Sequence, residues 1–387
     1  MAEVSIVGVG WSGFRPSVPE LSFREMMFEA AVKAYHDAGL DPRRDIDAFI
    51  SCQEDYWEGI AISDEFAPEP IGGVLRPTFT VAGDGLQCLA QAFMLVRSGY
   101  FDVVAVESHA KPSDISSISG VYELAYDPLT LRPVMRDARN PYALIALDAV
   151  IYMHRRGVSR EHFALAAVKN KRNGLANPRA SYASGINLET VLSGEYQVYP
   201  FTRHEIAPFT DAAVVMVVAR KNAVREPSGG HVIVRGVGWS TEAGTGAFEW
   251  HELGSAVALK DAASMAYKLA GVDAPANWPS LVEVEDRVSF LELLSIESLG
   301  VAVGEPHKLL ESGFFDRDGT LPSNPSGGSL STGVALEATG LSRLLDAVLQ
   351  LRGQAGAYQV SGAERAIVAS WRGPPTSTWG VALLSRE

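Results

Sequence analysis

Apolar positions in this chain fall into short unbroken runs separated by stretches with helical spacing. That is the pattern of strands buried on both faces and joined by amphipathic helices. Residues 4–11 (VSIVGVGW) read as a buried strand, followed by a helix over about Phe23–Ala38 that stops at Gly39. A second strand is predicted over Ile46–Ser51, and the acidic, Pro- and Gly-containing residues 53–76 read as a loop. Phe79 and Val81 then alternate as in a strand, Ala82–Gly85 makes a turn, and a helix continues through Ser98. Its apolar face is read from Leu86, Leu89, Ala90, Phe93, Met94 and Val96, with Asp84 as N-cap and Gly83 and Gly85 permitting the sharp turn. A strand over Asp102–Glu107 follows. The alternation predicts an α/β fold with a mostly parallel sheet.

Residues 112–205 break this rhythm with Pro-marked turns, helices around Tyr142–Arg156 and Arg160–Asn173, and a polar stretch to Gly194. They read as an insertion packed over one edge of the sheet. A strand returns at Asp211–Arg220, and KNAVREPSGG links it to about Gly230. The earlier pattern then recurs. VRGVGW (234–239) repeats IVGVGW (6–11), and a helix running into Lys268–Val272 repeats one running into His36–Leu40. GLSRLLDAVLQLRG (340–353) echoes GLQCLAQAFMLVRSG (85–99), Arg365–Ser370 echoes Asp102–Glu107, and WGVALLSR (379–386) echoes AAVVMVVAR (212–220). Matches in one order along the chain predict an internal duplication. The halves are read as residues 1–225, with the insertion, and 231–387.

Composition narrows the function classes. The 387 residues are 47% hydrophobic and 20% charged, enough for a large core. Thirty-three Lys and Arg against 46 Asp and Glu give a net charge of −13 with no basic run, which argues against nucleic acid as a partner. No apolar run approaches the roughly 20 residues that span a bilayer, and MAEVSIVGVGW does not look like a signal peptide. Two cysteines, Cys52 and Cys88, give neither a disulfide framework nor metal-ligand spacing. The expectation is a cytoplasmic protein without a metal.

PTFTVAGDGLQCLAQAFMLVRSGYFDVVAVESHAK (77–111) resembles the nucleophile segment of the thiolase superfamily: a strand, Ala-Cys-Ala-Ser-Gly opening a helix, then Ser-Gly-x-x-Asp-Val-Val. YPFTRHEIAPFTDAAVVMVVAR, LVEVEDRVSFLELLSIESLG and NPSGGSLSTGVALEATGLSRLLDAVLQLRGQAG resemble further segments of that superfamily. In the last of these, Gly327, Gly328, Gly333, Thr339, Gly340 and Gln350–Gly353 stay in register. The likeness is nearest the sterol-carrier-like and archaeal-type branch. It implies the duplicated, five-layered αβαβα thiolase fold and an acyl-CoA substrate, with no tightly bound cofactor. It also implies a homodimer, or a heteromer with an active thiolase, a small OB-fold zinc-ribbon protein, or both.

On that resemblance the chemistry departs from the family. The family's cysteine falls on Gly85, the histidine of Glu-x-His-Asp-x-Phe on Glu285, and the Gly-His-Pro histidine on Val334. The C-terminal loop reads Ser370–Pro375, without thiol or imidazole. Glycine has nothing to acylate and valine moves no proton, so Cys-dependent thiolysis is not expected. Cys88 is the remaining thiol nearby, read as a small buried residue more readily than as a displaced nucleophile. Glu285 is the candidate general base if its pocket raises its pKa, or else a carboxylate paired with Arg287 or Arg372. By strand alternation Glu283 and Glu285 share a face and Asp286 points the other way. Arg372 could meet a CoA phosphate or a substrate carboxylate, or stand solvated at a loop tip. Backbone N–H groups at Gly85, in the glycine segment Gly327, Gly328 and Gly333, and at Gly373 are candidate donors to a thioester carbonyl. Three readings compete: carbon–carbon bond formation or cleavage on an acyl-CoA without the cysteine, a non-catalytic subunit of a heteromeric complex, and a binding module for CoA esters or lipids without a partner enzyme.

Overall fold

The computed structural model describes residues 2–54, 65–115, 142–227, 229–242, 252–302, 304–373 and 377–387. In the first half β1 (Val4–Arg15), α1 (Phe23–Ala38), β2 (Ala48–Cys52), β3 (Thr78–Val81), α2 (Gly85–Ser98) and β4 (Val103–Ala110) follow in order. Insertion helices α3 (Ala143–Arg156) and α4 (Arg160–Gly174) precede β5 (Asp211–Arg220). The second half contains β6 (Val232–Thr241), α5 (Val257–Ala270), β7 (Leu281–Glu283), α6 (Phe290–Leu299), α7 (Thr339–Leu351), β8 (Arg365–Trp371) and β9 (Thr378–Arg386). Predicted and observed elements agree to within a few residues. Met94, assigned to the apolar face of α2, is 41% exposed instead. Parts of the predicted loop 53–76 and of the insertion, together with Pro374 and Pro375, lie outside the described residues.

The strands form one sheet in the order β3-β2-β4-β5-β1-β6-β9-β8-β7. From β2 to β1 this is the order of β7 to β6 read from the other end, as a duplicated chain folded about a pseudo-two-fold axis would give. The glycine repeats explain why each half folds alike. A Cβ on Gly8 or Gly10 would stand 2.3 or 2.1 Å from the carbonyl oxygens of Ala34 and Ala30 in α1. One on Gly236 or Gly238 would stand 2.2 or 2.0 Å from those of Ala266 and Ala262 in α5. In both halves the outer helix lies directly on its strand because that strand has no side chain at those points.

β1 and β6 pair only at Ser5–Ile233 and Ile6–Val232, so the two half-sheets are joined by a narrow seam. Their inner faces enclose α2 and α7: Leu86, Leu89 and Phe93 with Leu341, Leu344 and Val348 form one core with Val104, Met216, Val368 and Leu384. α1 covers the outer face of the first half-sheet, and α5 and α6 that of the second. These are the five layers of the thiolase fold. Each fully buried leucine in the middle layer contributes about 1.5–3 kcal/mol of transfer free energy. A polar side chain in that layer therefore needs a partner inside the protein.

The expectation of a mostly parallel sheet is corrected. Among the described strands β4 pairs antiparallel with β5, β5 with β1, β1 with β6, β6 with β9 and β9 with β8, leaving β3–β2, β2–β4 and β8–β7 parallel. Helical crossovers make neighbours parallel, but the last strand of each half slots in antiparallel beside the first, β5 between β4 and β1 and β9 between β8 and β6. The described part of the insertion packs on the second half, where Ile145, Tyr152, Phe163 and Phe201 share a core with Val282, Phe290 and Leu294. Among the described residues no helix is long and apolar enough to cross a membrane.

Candidate functional site

The N-termini of α2 and α7 meet at the centre of the molecule, held by one carboxylate. Asp84 caps α2 by accepting from Leu86 N–H at 3.0 Å, in a capping box with Gln87. Its other oxygen accepts from Gly340 N–H in the first turn of α7 at 3.0 Å and from the Ser370 hydroxyl at 2.9 Å. Burial raises the Asp84 pKa, against the pull of these donors. The helix ends touch because glycine stands at both contacts. A Cβ on Gly85 would lie 2.6 Å from both Leu341 Cγ and Leu341 N, and one on Gly340 would lie 1.9 Å from Asp84 Oδ1. Residue 85 therefore carries no side chain, and the place where one would begin is filled.

Asp286, expected to point away from Glu283 and Glu285, instead meets Arg343 of α7 at 3.0 Å, and that expectation is corrected. Val282 and Val284 join the outer core, so Glu283 and Glu285 do share the inner face, with Glu285 just beyond the end of β7. Its carboxylate accepts from Arg287 N–H at 2.9 Å, Arg287 Nε at 3.1 Å, Arg343 Nη2 at 3.2 Å and Trp371 N–H at 3.1 Å. Burial alone would raise its pKa, but the Arg287 and Arg343 guanidiniums outweigh burial and hold it at about 2. The reading of Glu285 as a base with a raised pKa is thus corrected. The paired alternative holds for Arg287, with Arg343 as the second partner in place of Arg372.

Arg372 is 1% exposed and ion-paired with Glu54, with Glu337 at 3.6 Å, which corrects its placement at a solvated loop tip. The sequence expectation of a glycine segment with open donors is also corrected. Gly327 N–H donates to Asn324 O, Gly328 N–H to Ser326 Oγ and Gly333 N–H to Ser329 O. A Cβ on Gly373 would lie 2.2 Å from Arg287 Nη1, so the arginine packs against that glycine. Val334 joins a small core with Ala167, Ala207 and Leu330. Cys88 and Cys52 are fully buried, and burial raises both thiols. His109 lies under α1, 2.7 Å from Glu107 Oε1 and stacked on Phe23 at 5.3 Å.

Sequence reasoning missed the cations that hold this centre. Arg343 of α7 is 3% exposed and also binds Asp286 at 3.0 Å and the Ser329 hydroxyl at 2.8 Å. Lys169 is paired with Glu292 at 2.8 Å, and Asn170 links Glu292 to Asp286 at 2.9 Å each. A signal existed for Arg343, which interrupts the apolar run Leu341–Leu345. Burial raises Asp286 and Glu283, whose partners in turn are Ser329 N–H at 2.7 Å and the Ser326 hydroxyl at 2.7 Å. Among the described residues no group of three or more His, Cys, Asp or Glu is placed to hold a metal ion. Glu285 accepts from Trp371 N–H and the adjacent Ser370 donates to Asp84, so the end of β8 links the Glu285 ion pairs to the helix end at Gly85. The charged groups form a buried cluster of ion pairs in which Glu285 is held by Arg287 and Arg343 and Arg372 by Glu54.

Comparison with known proteins places this arrangement. The thiolase C-terminal domain-like family matches residues 244–386. An acetyl-CoA acetyltransferase of Methanothermobacter thermautotrophicus is 30% identical over 376 residues, 94% of each chain. Sterol carrier protein 2 of Bos taurus is 26% identical over 94% of this chain and 69% of that protein. Among solved structures, that of the Ltp2-ChsH2(DUF35) aldolase superimposes with a TM-score of 0.83 at 23% identity, covering 100% of this chain and 98% of the other. Likeness over almost the whole length, with the layered architecture described above, establishes that the chain belongs to the thiolase superfamily, in its sterol-carrier-protein-like branch.

Proposed function

We propose that the chain is a thiolase-fold subunit without Cys-dependent acyl transfer of its own, working beside a catalytic chain in a heteromeric thiolase or aldolase complex on acyl-CoA. The closed seat at residue 85 carries this reading, because Leu341 occupies the space where a nucleophile's Cβ would stand. Acyl transfer needs a thiolate, a base and donors to the thioester oxygen. At the positions the resemblance assigns, this chain has a glycine, a carboxylate committed to two arginines, and a valine. The rival reading, carbon–carbon chemistry by Glu285 alone, needs a carboxylate that takes up protons near neutrality, and the ion pairs act against that.

A partner surface supports the proposal. β3 is the last strand of the sheet, and its outer side has no neighbour among the described residues. Phe49 N–H bonds Pro77 O and Gln53 N–H bonds Val81 O, so odd-numbered β3 residues face β2 and Thr78 and Thr80 present their N–H and C=O outward. Phe79 is 42% exposed, with Val74 at 59% and Leu75 at 99% nearby. An unpaired edge flanked by apolar side chains fits the matching edge of a second thiolase-fold chain. The Ltp2-ChsH2(DUF35) aldolase, a structural relative, carries two protein names in one assembly. The resemblance itself suggests a small OB-fold zinc-ribbon partner. The test is co-purification of the tagged chain from its host, with acyl-CoA panels assayed on the chain alone and on the recovered complex. No turnover alone and turnover with the partner is expected. Turnover by the isolated chain that disappears in Glu285→Gln would overturn the reading.

A further inference from the structure

On the opposite face of β8 from Asp84 the packing is incomplete. Alternation along the strand sends Ser370 inward to Asp84 and Trp371 outward, where it faces its cross-strand partner Trp379. The two indoles stack at 5.7 Å between centroids and 19° between planes. They line a cavity of about 30 Å3 with Leu144 and Ile145 of α3 and Leu291 and Leu294 of α6. Two donors in its lining have no acceptor among the described residues: the Trp371 indole Nε1–H and the Ser255 hydroxyl. Trp371 is only 7% exposed, so water does not generally solvate it. A buried polar group left unpaired costs about 1–3 kcal/mol, so native proteins seldom keep one without an external partner.

We propose that this cavity binds a short neutral acyl group, with Trp371 Nε1 and Ser255 Oγ donating to its carbonyl oxygen. Apolar walls select a hydrocarbon body, and the donors select an accepting oxygen. Asp148 and Glu242, also in the lining, exclude a carboxylate and so require that oxygen to be neutral, as in a thioester or ketone. Space is limiting. The cavity exceeds the roughly 10–15 Å3 needed for one water and leaves room for only about two or three heavy atoms, an acetyl-sized end. The site lies apart from residue 85 and does not require that seat to be active or inactive.

The experiment is calorimetric titration of the intact chain with acetyl-CoA, octanoyl-CoA, free CoA and S-ethyl thioacetate. Wild type is compared with Trp371→Phe, which keeps an aromatic stack but loses the donor, and with Ser255→Ala on a separate segment. Acetyl-CoA should bind more tightly than octanoyl-CoA or free CoA. Each substitution should weaken acetyl-CoA binding by about 5- to 10-fold and leave free CoA unchanged. If S-ethyl thioacetate also binds and is weakened alike, the pocket takes a free small carbonyl compound. If only acetyl-CoA does, the acyl group arrives on CoA. Equal affinity for acetyl-CoA and free CoA, unchanged acetyl-CoA affinity in both variants, or no binding by either acetyl probe would overturn the assignment and leave an ordered water as the occupant. Turnover by the chain alone would contradict the subunit reading above while leaving this one standing.

Discussion

Placing a methyl group at residue 85 tests the reasoning most directly. A Cβ there would meet Leu341 Cγ and Leu341 N, both at 2.6 Å, and Leu341 Cβ at 3.2 Å. Overpacking of this kind costs about 1–3 kcal/mol, because one of the contacts is backbone that no rotamer change relieves. Replacing glycine by alanine in a helix returns at most about 1 kcal/mol, and less in a first turn. Gly85→Ala should therefore lose about 1–2 kcal/mol, read from urea unfolding by circular dichroism with an unchanged m value. Leu341→Ala alone should lose about 2–5 kcal/mol through the cavity it leaves. In the double variant the side-chain clash is gone but Leu341 N remains, so the pair should be less than additive by about 1 kcal/mol. A Gly85→Ala protein as stable as wild type would refute the closed seat, as would additivity within about 0.3–0.5 kcal/mol. Gly85→Cys carries the same clash and should yield no acetyl adduct by mass spectrometry after incubation with acetyl-CoA.

The charged centre makes further predictions. Glu285 has a folded pKa of about 2 against 4.5 unfolded, so its roughly 3 kcal/mol is present above pH 4.5 and disappears as pH falls toward 2. The stability gap between wild type and Glu285→Gln, measured by urea unfolding, should therefore narrow over that window; a gap constant with pH would exclude the ion pair. Arg372→Met should lose about 3–5 kcal/mol by removing the buried guanidinium paired with Glu54 and 3.6 Å from Glu337, with free CoA binding unchanged in calorimetry; weakened CoA binding would restore Arg372 as a phosphate contact. Cys88 should resist iodoacetamide in the native state and react only on unfolding, as burial raises its pKa; rapid native labelling would reopen its role. Thr80→Pro should weaken association at the β3 edge without touching the β2 ladder, visible as a smaller mass by light scattering; an unchanged mass would move the interface elsewhere.

Much of the fold was legible because it rests on period and repetition. Runs such as 211–220 can be buried only as strands between layers, and paired glycines mark where α1 and α5 must touch β1 and β6. Strand direction was less legible. The short stretch between Trp371 and Thr378 and the long insertion before Asp211 are each followed by a returning strand, and neither length nor composition reveals that it slips in beside the first strand of its half. The site was legible by position and not by state. Alignment to a known family pointed to Glu285, Gly85 and Arg372, but the lowered pKa of Glu285 comes first from Arg287 and then from Arg343, which approaches only when α7 docks between the half-sheets. Arg372 read as a loop-tip charge because its neighbours Glu54 and Glu337 come from distant segments.

The glycine at residue 85 admits more than one history, and the packing distinguishes them. If a side chain had simply been lost from an otherwise open site, its space would remain as a cavity beside the helix end. Instead Gly85 and Gly340 occupy matching places in the two repeats and let α2 and α7 approach until Asp84 serves both helix ends. That shared carboxylate satisfies donors from α2, α7 and β8 at once, which ties the two halves together where a reacting centre would need open space. Seating a nucleophile at residue 85 would thus require separating the helices, and separation would leave Asp84 buried with fewer donors. The same coupling makes the centre well suited to transmit a fixed geometry to the surface edge at β3, one short turn upstream of Asp84. Rigidity of that kind is what the proposed subunit role would use, holding the β3 edge in one shape for a neighbouring chain.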